Sequence, residues 1–341
     1  MSTPRPHAIP NLTFTDDDVT VFTIGDDGFF PGVAGLINSL RALGYPHRMV
    51  VADCGFSAWQ RQLLEPHATL LPLARDAVKN PQQYKAFASL VQPRGTVVAI
   101  DSDIIVTGRF DDMLAAARDG RIAVFPDPEE RRWFAEWQDL FALALPPRRQ
   151  VYVNSGFVVF SATRWPHLLE RWWNACERIF SNPTIREGAA RDHPTSQSDQ
   201  DALNAILMSE IPAEAIAYQD ARAMVFRWDF ERVRVEDAAA LRCSFDGARV
   251  VALHAVAGPK PWQPGAAGEA SSHNAYVRLL RQLLVAKDAA VKIPANELVA
   301  WLRPGVSGRL RLESRGWWRS ARSLLPRNTG LVARARKIRS R

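Results

Sequence analysis

Asp101-Ser102-Asp103 follows the apolar run Val97 to Ile100 and precedes Ile104, Ile105 and Val106. Side chains two positions apart on a strand lie on the same side, so both carboxylates can aim at one point. Two like charges that close repel each other, and burial adds to the cost. A divalent cation relieves both penalties, and the chemistry this pattern suggests is a metal site facing a phosphate. The three-residue pattern is short, and a solvated turn satisfies it too; the apolar flanks are what favour the metal.

A third candidate ligand comes from Val250 to Trp262 (VVALHAVAGPKPW), where His254 leaves a strand-like run as the two aspartates do; a lone histidine is more often a satisfied core or surface residue, and its place at a strand end is what favours the ligand. Two carboxylates with one imidazole suit Mn²⁺ better than Ca²⁺, which prefers all-oxygen shells; Mg²⁺ is the second choice. A turn at Gly258-Pro259 would bring Lys260 to the phosphates as a point charge. The alternatives are an ordinary surface lysine at 260 and, for Trp262, core packing, which is the expectation here. Asn154-Ser155-Gly156 interrupts the strand-like run Val151 to Phe160, and a glycine there implies a bulge or a close backbone approach. Ser198 to Asn204 (SDQDALN) opens a helix. Asp199 and Asp201 then complement its dipole, which leaves Gln200 unexplained.

The elements that must hold these groups alternate in type. Val19 to Ile24 reads as a strand ending in the turn Gly25-Asp26-Asp27-Gly28. Residues 31–43 read as a helix, with Pro31 at its start and Val33, Leu36, Ile37, Leu40 and Leu43 on one face, stopped by Gly44. Arg48 to Ala52, Thr96 to Ile100, Ile122 to Phe125 and Arg249 to Leu253 read as further strands, and Thr96 to Ile100 is apolar enough for burial on both faces. Helices are expected around Trp59, Leu63 and Leu64, over Tyr84 to Val91, Trp165 to Phe180 and Gln200 to Met208. This alternation predicts an α/β fold with a mainly parallel sheet, whose ligands sit beyond the carboxyl ends of the strands. Asp26, Asp27, Asp101, Asp103 and His254 all fall at such ends. Residues 126–150 break the order and read as an insertion or lid. A packed amphipathic helix is the expectation for Arg131, Arg132, Trp133 and Trp137, with sugar stacking as the alternative.

With 341 residues, 47% of them hydrophobic, the chain can bury a sizeable core in one large domain or two small ones. No 18-residue apolar stretch is free of charge, so no membrane-spanning helix is expected. Residues 1–18 lack the order of a secretory signal. Cys54, Cys176 and Cys243 are scattered and read as buried free thiols in a reducing compartment, which suggests the cytoplasm. The net charge of +7 is uneven: residues 303–341 carry twelve Arg and Lys against Glu313, a balance of +11, which leaves −4 for the remainder.

Taken together, the turn at 26–27, D-x-D at 101–103, N-S-G at 154–156, D-Q-D-A-L-N at 199–204 and H-x5-K-P-W at 254–262 resemble the family 8 glycosyltransferases. This is a retaining group with the GT-A fold that includes bacterial lipopolysaccharide galactosyl- and glucosyltransferases and glycogenin. The resemblance runs from Val19 to Trp262 and implies a UDP-sugar donor with Mn²⁺ held by Asp101, Asp103 and His254. It implies that Lys260 meets the diphosphate and that Ser102, Ser155 and Gly258 belong to the donor-binding set. Thr23, Asp26 and Asp27 would meet uracil and ribose, Lys85 would be a basic donor-binding residue, and Asn154 would line the sugar pocket. Asp199 would bond the donor sugar hydroxyls and Gln200 would lie near the anomeric carbon. Ala255 and Ala257 stand where relatives carry an aromatic residue and glycine, with Gly258 one place late, so a reshaped phosphate loop is expected.

The resulting division is an extension at 1–18, a GT-A domain at 19–302 and a basic, aromatic tail at 303–341. Arg interleaved with Trp317, Trp318, Leu324 and Leu325 suits an anionic bilayer surface, which would put the enzyme at a glycan or lipid-linked acceptor on the inner face of the cytoplasmic membrane. A nucleic-acid patch and a disordered end are the rival readings of the tail, and no nucleic-acid partner is expected. A nucleotidyltransferase and a non-catalytic nucleotide-sugar-binding protein are the rival readings of the body.

Overall fold

The computed structural model describes residues 12–73, 84–182, 192–306, 308 and 310–314. A seven-stranded sheet runs through its centre in the order β3-β2-β1-β4-β7-β6-β8. Its strands are β1 (Val19–Gly25), β2 (Arg48–Asp53), β3 (Thr69–Pro72), β4 (Thr96–Ile100), β6 (Ile122–Pro126), β7 (Val153–Ser161) and β8 (Ile216–Tyr218). β3, β2, β1 and β4 are parallel, β7 is antiparallel to both β4 and β6, and β6 is parallel to β8. All five residues of β4 are buried, as an apolar run central to a two-faced sheet requires.

One face of the sheet packs on α1 (Phe30–Ala42) and α3 (Asp111–Arg118), with α7 (Ala275–Val285) lying against α1; the other packs on α5 (Leu168–Ser181) and α6 (Asp199–Glu210). Pro31 occupies the first turn of α1, where its missing N–H costs nothing. Gly32 is there for space: a Cβ would run into Trp262 and the Ser102 carbonyl. A second, three-stranded sheet holds β5 (Ile104–Val106), β13 (Ala252–His254) and β9 (Met224–Phe226) in the order β5-β13-β9. A third holds β10 (Arg234–Asp237), β11 (Arg242–Phe245) and β12 (Ala248–Arg249). The short helices α2 (Ala58–Leu64) and α4 (Trp137–Leu140) complete the set.

Three expectations about the elements are corrected. Tyr84 to Val91 is not an α-helix; Phe87–Val91 forms a tight 3₁₀ turn that buries Phe87 and Ala88. Arg249 to Leu253 is not one strand: Arg249 ends β12, and β13 starts three residues on in a different sheet. Of the segment 126–150, only Trp137–Leu140 is helical, and Trp137 is fully buried. Cys54, Cys176 and Cys243 are buried free thiols as expected. Among the described residues no helix is long and apolar enough to cross a membrane. Residues 315–341, with Trp317, Trp318, Leu324 and Leu325, lie outside the described residues, whereas Leu302 and Leu312 are buried against the body.

Candidate active site

β4 delivers Asp101-Ser102-Asp103 at its carboxyl end, and β5 resumes at Ile104. The turn between them is fixed by its backbone. Asp101 N–H donates to the Gly156 carbonyl (2.8 Å), Ile104 N–H to that of Asp101 (3.1 Å), and Ala255 N–H to that of Asp103 (3.0 Å). β13 runs antiparallel to β5 with His254 opposite Ile104, and this register sets the imidazole beside the aspartates. His254 Nε2 lies 3.4 Å from Asp101 and 3.3 Å from Asp103. One donor atom from each of the three residues lies within 4.8 Å of the others. Two ligands about 2.1 Å from one ion stand roughly 3–4 Å apart, so small side-chain rotations close this set on a single cation. Two carboxylates and one imidazole are donors that could hold a divalent cation.

Gly156 makes room for that imidazole, since a Cβ there would overlap the His254 ring. The strand also bulges at this point: Val124 faces Val158, yet Phe125 faces Asn154. The bulge and close approach expected at Asn154-Ser155-Gly156 are both present.

Two lysines balance the carboxylates. Lys85 Nζ contacts Asp101 (2.8 Å), Ser155 Oγ (2.9 Å) and Asp199 (3.2 Å). Lys260 Nζ contacts Asp103 Oδ2 (2.6 Å) and the Ala255 carbonyl (2.8 Å) and lies 5.6 Å from the centre of the Phe29 ring. Burial alone would raise the carboxyl pKa of Asp103, but His254 and Lys260 outweigh it and hold the carboxyl well below its usual range. Burial would likewise depress His254, and Asp103 and Asp101 instead raise it to about 9. Asp199 goes the other way: burial pushes its carboxyl up despite Lys85.

Gln200 sits at the start of α6 in a closed set of hydrogen bonds. Its Oε1 accepts from Asn154 Nδ2 (3.0 Å) and Ser155 N–H (3.0 Å), while its Nε2 donates to Asp127 Oδ2 (3.1 Å). Ser198, just before the helix, is held at φ 48°, a left-handed value that a non-glycine residue adopts only under constraint.

Lys85, Asp101, Asp103, Asn154, Ser155, Asp199, Gln200, His254, Gly258, Lys260, Ser102 and Asp26 all line one cleft of about 750 Å³. Thr23 and Asp27 do not line it: Thr23 is 2% exposed, and Asp27 Oδ1 accepts from Gln60 Nε2 at 2.7 Å. Trp262 packs in the core as expected, donating from Nε1 to the Gly28 carbonyl (2.8 Å). In the loop after His254, Ala257 and Gly258 both have positive φ (54° and 53°). Arg227 braces it, donating to the Ala257 carbonyl (2.6 Å) and pairing with Glu269. A smaller hollow of about 470 Å³ adjoins the cleft along Pro128 to Phe134.

Sequence reasoning missed three residues here. Asp127 bonds Asn154 and Gln200 and follows the end of β6 directly; the strand-end rule that picks out Asp101 and His254 would have found it. Asp201 is not a simple dipole partner but a fully buried carboxylate gripped by Arg132 (2.7 Å). Trp228 lines the cleft while 62% exposed, and no sequence signal marks it.

No protein-family model and no curated protein matches the sequence. Solved structures do match. The bifunctional glycosyltransferase WbbM in its apo form is 16% identical with a TM-score of 0.51, over 79% of this chain and 50% of WbbM. This chain thus spans about half the length of that enzyme. The galactosyltransferase LgtC, solved with donor and acceptor sugar analogues, is 16% identical with a TM-score of 0.50, over 79% of this chain and 98% of LgtC. An active-site mutant of LgtC aligns with 15% identity and a TM-score of 0.50, over 76% and 94% of the two chains. At these identities the likeness establishes the architecture, and the chain has the GT-A fold of these glycosyltransferases.

Proposed function

We propose that the protein is a metal-dependent glycosyltransferase that moves a hexose from a UDP-sugar to a glycan or lipid-linked acceptor with retention at the anomeric carbon. The observation that supports it most is the convergence of Asp101, Asp103 and His254 with two lysines at the strand ends of a GT-A sheet. A Mn²⁺ ion held by those three residues would supply Lewis-acid stabilisation of the departing diphosphate. Lys260 adds a point charge for the same developing negative charge. Lys85 ties Asp101 to Asp199 and so couples the metal side of the cleft to the sugar side. Asp199, Asn154 and Gln200 orient the donor sugar, and Asp26 faces the nucleoside.

Double displacement would need a free carboxylate beside the anomeric carbon. Asp201 is committed to Arg132 and does not line the cleft, and Asp199 is held by Lys85 and Ser155. Departure and attack on one face of the sugar, beside Gln200, is the mechanism these commitments favour. Titration calorimetry with UDP, with and without Mn²⁺, together with hydrolysis of a UDP-sugar panel, tests the function. Mn²⁺-dependent UDP binding with slow UDP-sugar hydrolysis is expected. UDP binding with no turnover would mark a binding protein, and turnover of nucleoside triphosphates would mark a nucleotidyltransferase.

Gln200→Ala should lower kcat on the order of a hundredfold while KM for the donor changes little, because the side chain sits in the sugar end of the cleft and away from the diphosphate ligands. An unchanged kcat removes Gln200 from the mechanism.

The basic tail is proposed to hold the enzyme on an anionic membrane surface, as a peripheral protein of the cytoplasmic face. Val306 (72% exposed) and Leu310 (57% exposed) lead into residues 315–341, which hold nine Arg and Lys and no acid. Because Leu312 packs on the body, the chain should be ended at Ser314 rather than at Leu302. That shortened protein should lose sedimentation with anionic liposomes and keep UDP-sugar hydrolysis; equal sedimentation of both forms rejects the idea.

A further inference from the structure

We infer that Trp228 is the platform on which the acceptor sugar stacks, an assignment that rests on the glycosyl-transfer reading above. Five large apolar side chains of the described residues are exposed, namely Leu145, Tyr218, Trp228, Val306 and Leu310, and only Trp228 lines the cleft. An indole left 62% open to water in the lining of a concave site invites a partner.

Its orientation is fixed by stacking. The Trp228 ring lies 5.4 Å from that of Phe226 at an interplanar angle of 14°. Phe226 is buried, ends β9 opposite His254, and places its ring 5.9 Å from the imidazole. The three rings therefore form a ladder from the metal cluster to the cleft rim. Phe226 stacks on one face of the indole, and Trp228 is the exposed ring of the three.

Position sets this platform apart from Lys260. β13 has β5 and the Asp101–Asp103 turn on one side and β9 on the other. From His254 the chain runs back through Lys260 and Trp262 to Phe29 and Gly28, at the end of β1. Lys260 thus lies toward β1, whereas Trp228 follows the end of β9 on the other side of His254, next to Arg227, which braces the Ala257–Gly258 loop. The negative face of an indole suits the polarised C–H face of a pyranose, while Ser196 and Gln197, which line the same cleft, can meet hydroxyls at its edge.

The test is steady-state transfer from UDP-hexose with Mn²⁺ to a panel of fluorophore-tagged mono- and disaccharides, using wild type, Trp228→Ala and Trp228→Phe. On the best acceptor, Trp228→Ala should raise the acceptor KM about tenfold or more with the donor KM within twofold, and Trp228→Phe should restore most of the loss. An unchanged acceptor KM overturns the assignment. A donor KM that rises in step also overturns it, since that marks a nucleobase platform. No acceptor-dependent acceleration anywhere in the panel counts against it as well. Wild-type protein with no Mn²⁺-dependent turnover of UDP-hexose overturns the transfer reading and this role together, so the two failures are told apart.

Discussion

Asp103→Ala should abolish metal-dependent turnover, with kcat/KM for the UDP-sugar falling on the order of a thousandfold. The magnitude follows from where the carboxylate sits. Asp103 is 6% exposed, faces His254 at 3.3 Å and holds Lys260 at 2.6 Å. On the proposed reading, its removal takes away one of three metal ligands and frees the ammonium that would sit beside the leaving group. The remaining pair, Asp101 and His254, is too few to hold the ion with the donor in place. Asp103→Asn keeps the volume and the turn but supplies a neutral, weaker ligand, so it should recover only a small part of the loss. Mn²⁺ affinity by titration calorimetry and UDP-sugar hydrolysis are the two readouts, with a melting curve showing that each variant stays folded. Full turnover by Asp103→Ala in EDTA would end the metal-site reading.

How much of this was legible before the structure depended on the range of the interaction. Asp101 and His254 each end an apolar run and Asp103 stands just before another, and a strand end is a local feature, so they stand out one by one. Their meeting is not local: it is set by the pairing of three-residue strands β5 and β13, whose partners are some 150 positions apart. Strands that short carry no periodicity to read. The same limit hid the break inside Arg249 to Leu253, which leaves one sheet and enters another. Lys85 was implied only by resemblance, because its reach to Asp101 and Asp199 comes from tertiary packing. Thr23 and Asp27 were implied in the same way, and the fold turns them from the cleft. Asp127 was legible and passed over.

Asp201 shows most clearly what local reasoning leaves out, and it carries the largest expected effect on stability. The helix dipole accounts for an acidic residue in the first turn of α6, and on that reading replacement of Asp201 would cost a few tenths of a kcal/mol at the surface. The structure places it at 0% exposure, bonded to Arg132 Nε (2.7 Å) and Nη2 (2.9 Å), to Tyr152 OH (2.8 Å) and to Gln197 N–H (2.7 Å). Arg132 comes from the segment before α4 and also donates to the His193 carbonyl and Ser196 Oγ. One ion pair therefore joins the 126–150 segment, the loop at 193–198 and the start of the helix that carries Asp199 and Gln200. Arg132→Met leaves a buried carboxylate without its cation and should destabilise the fold by about 3–5 kcal/mol, measured by urea or thermal unfolding. Asp201→Leu should cost a similar amount for the mirror reason. In the double variant neither charge is stranded, so the loss should fall well short of the sum of the two, as coupled neighbours require. Additive losses would show that Arg132 and Asp201 act independently, and a loss under 1 kcal/mol for Arg132→Met would return Asp201 to the role of an ordinary first-turn acid.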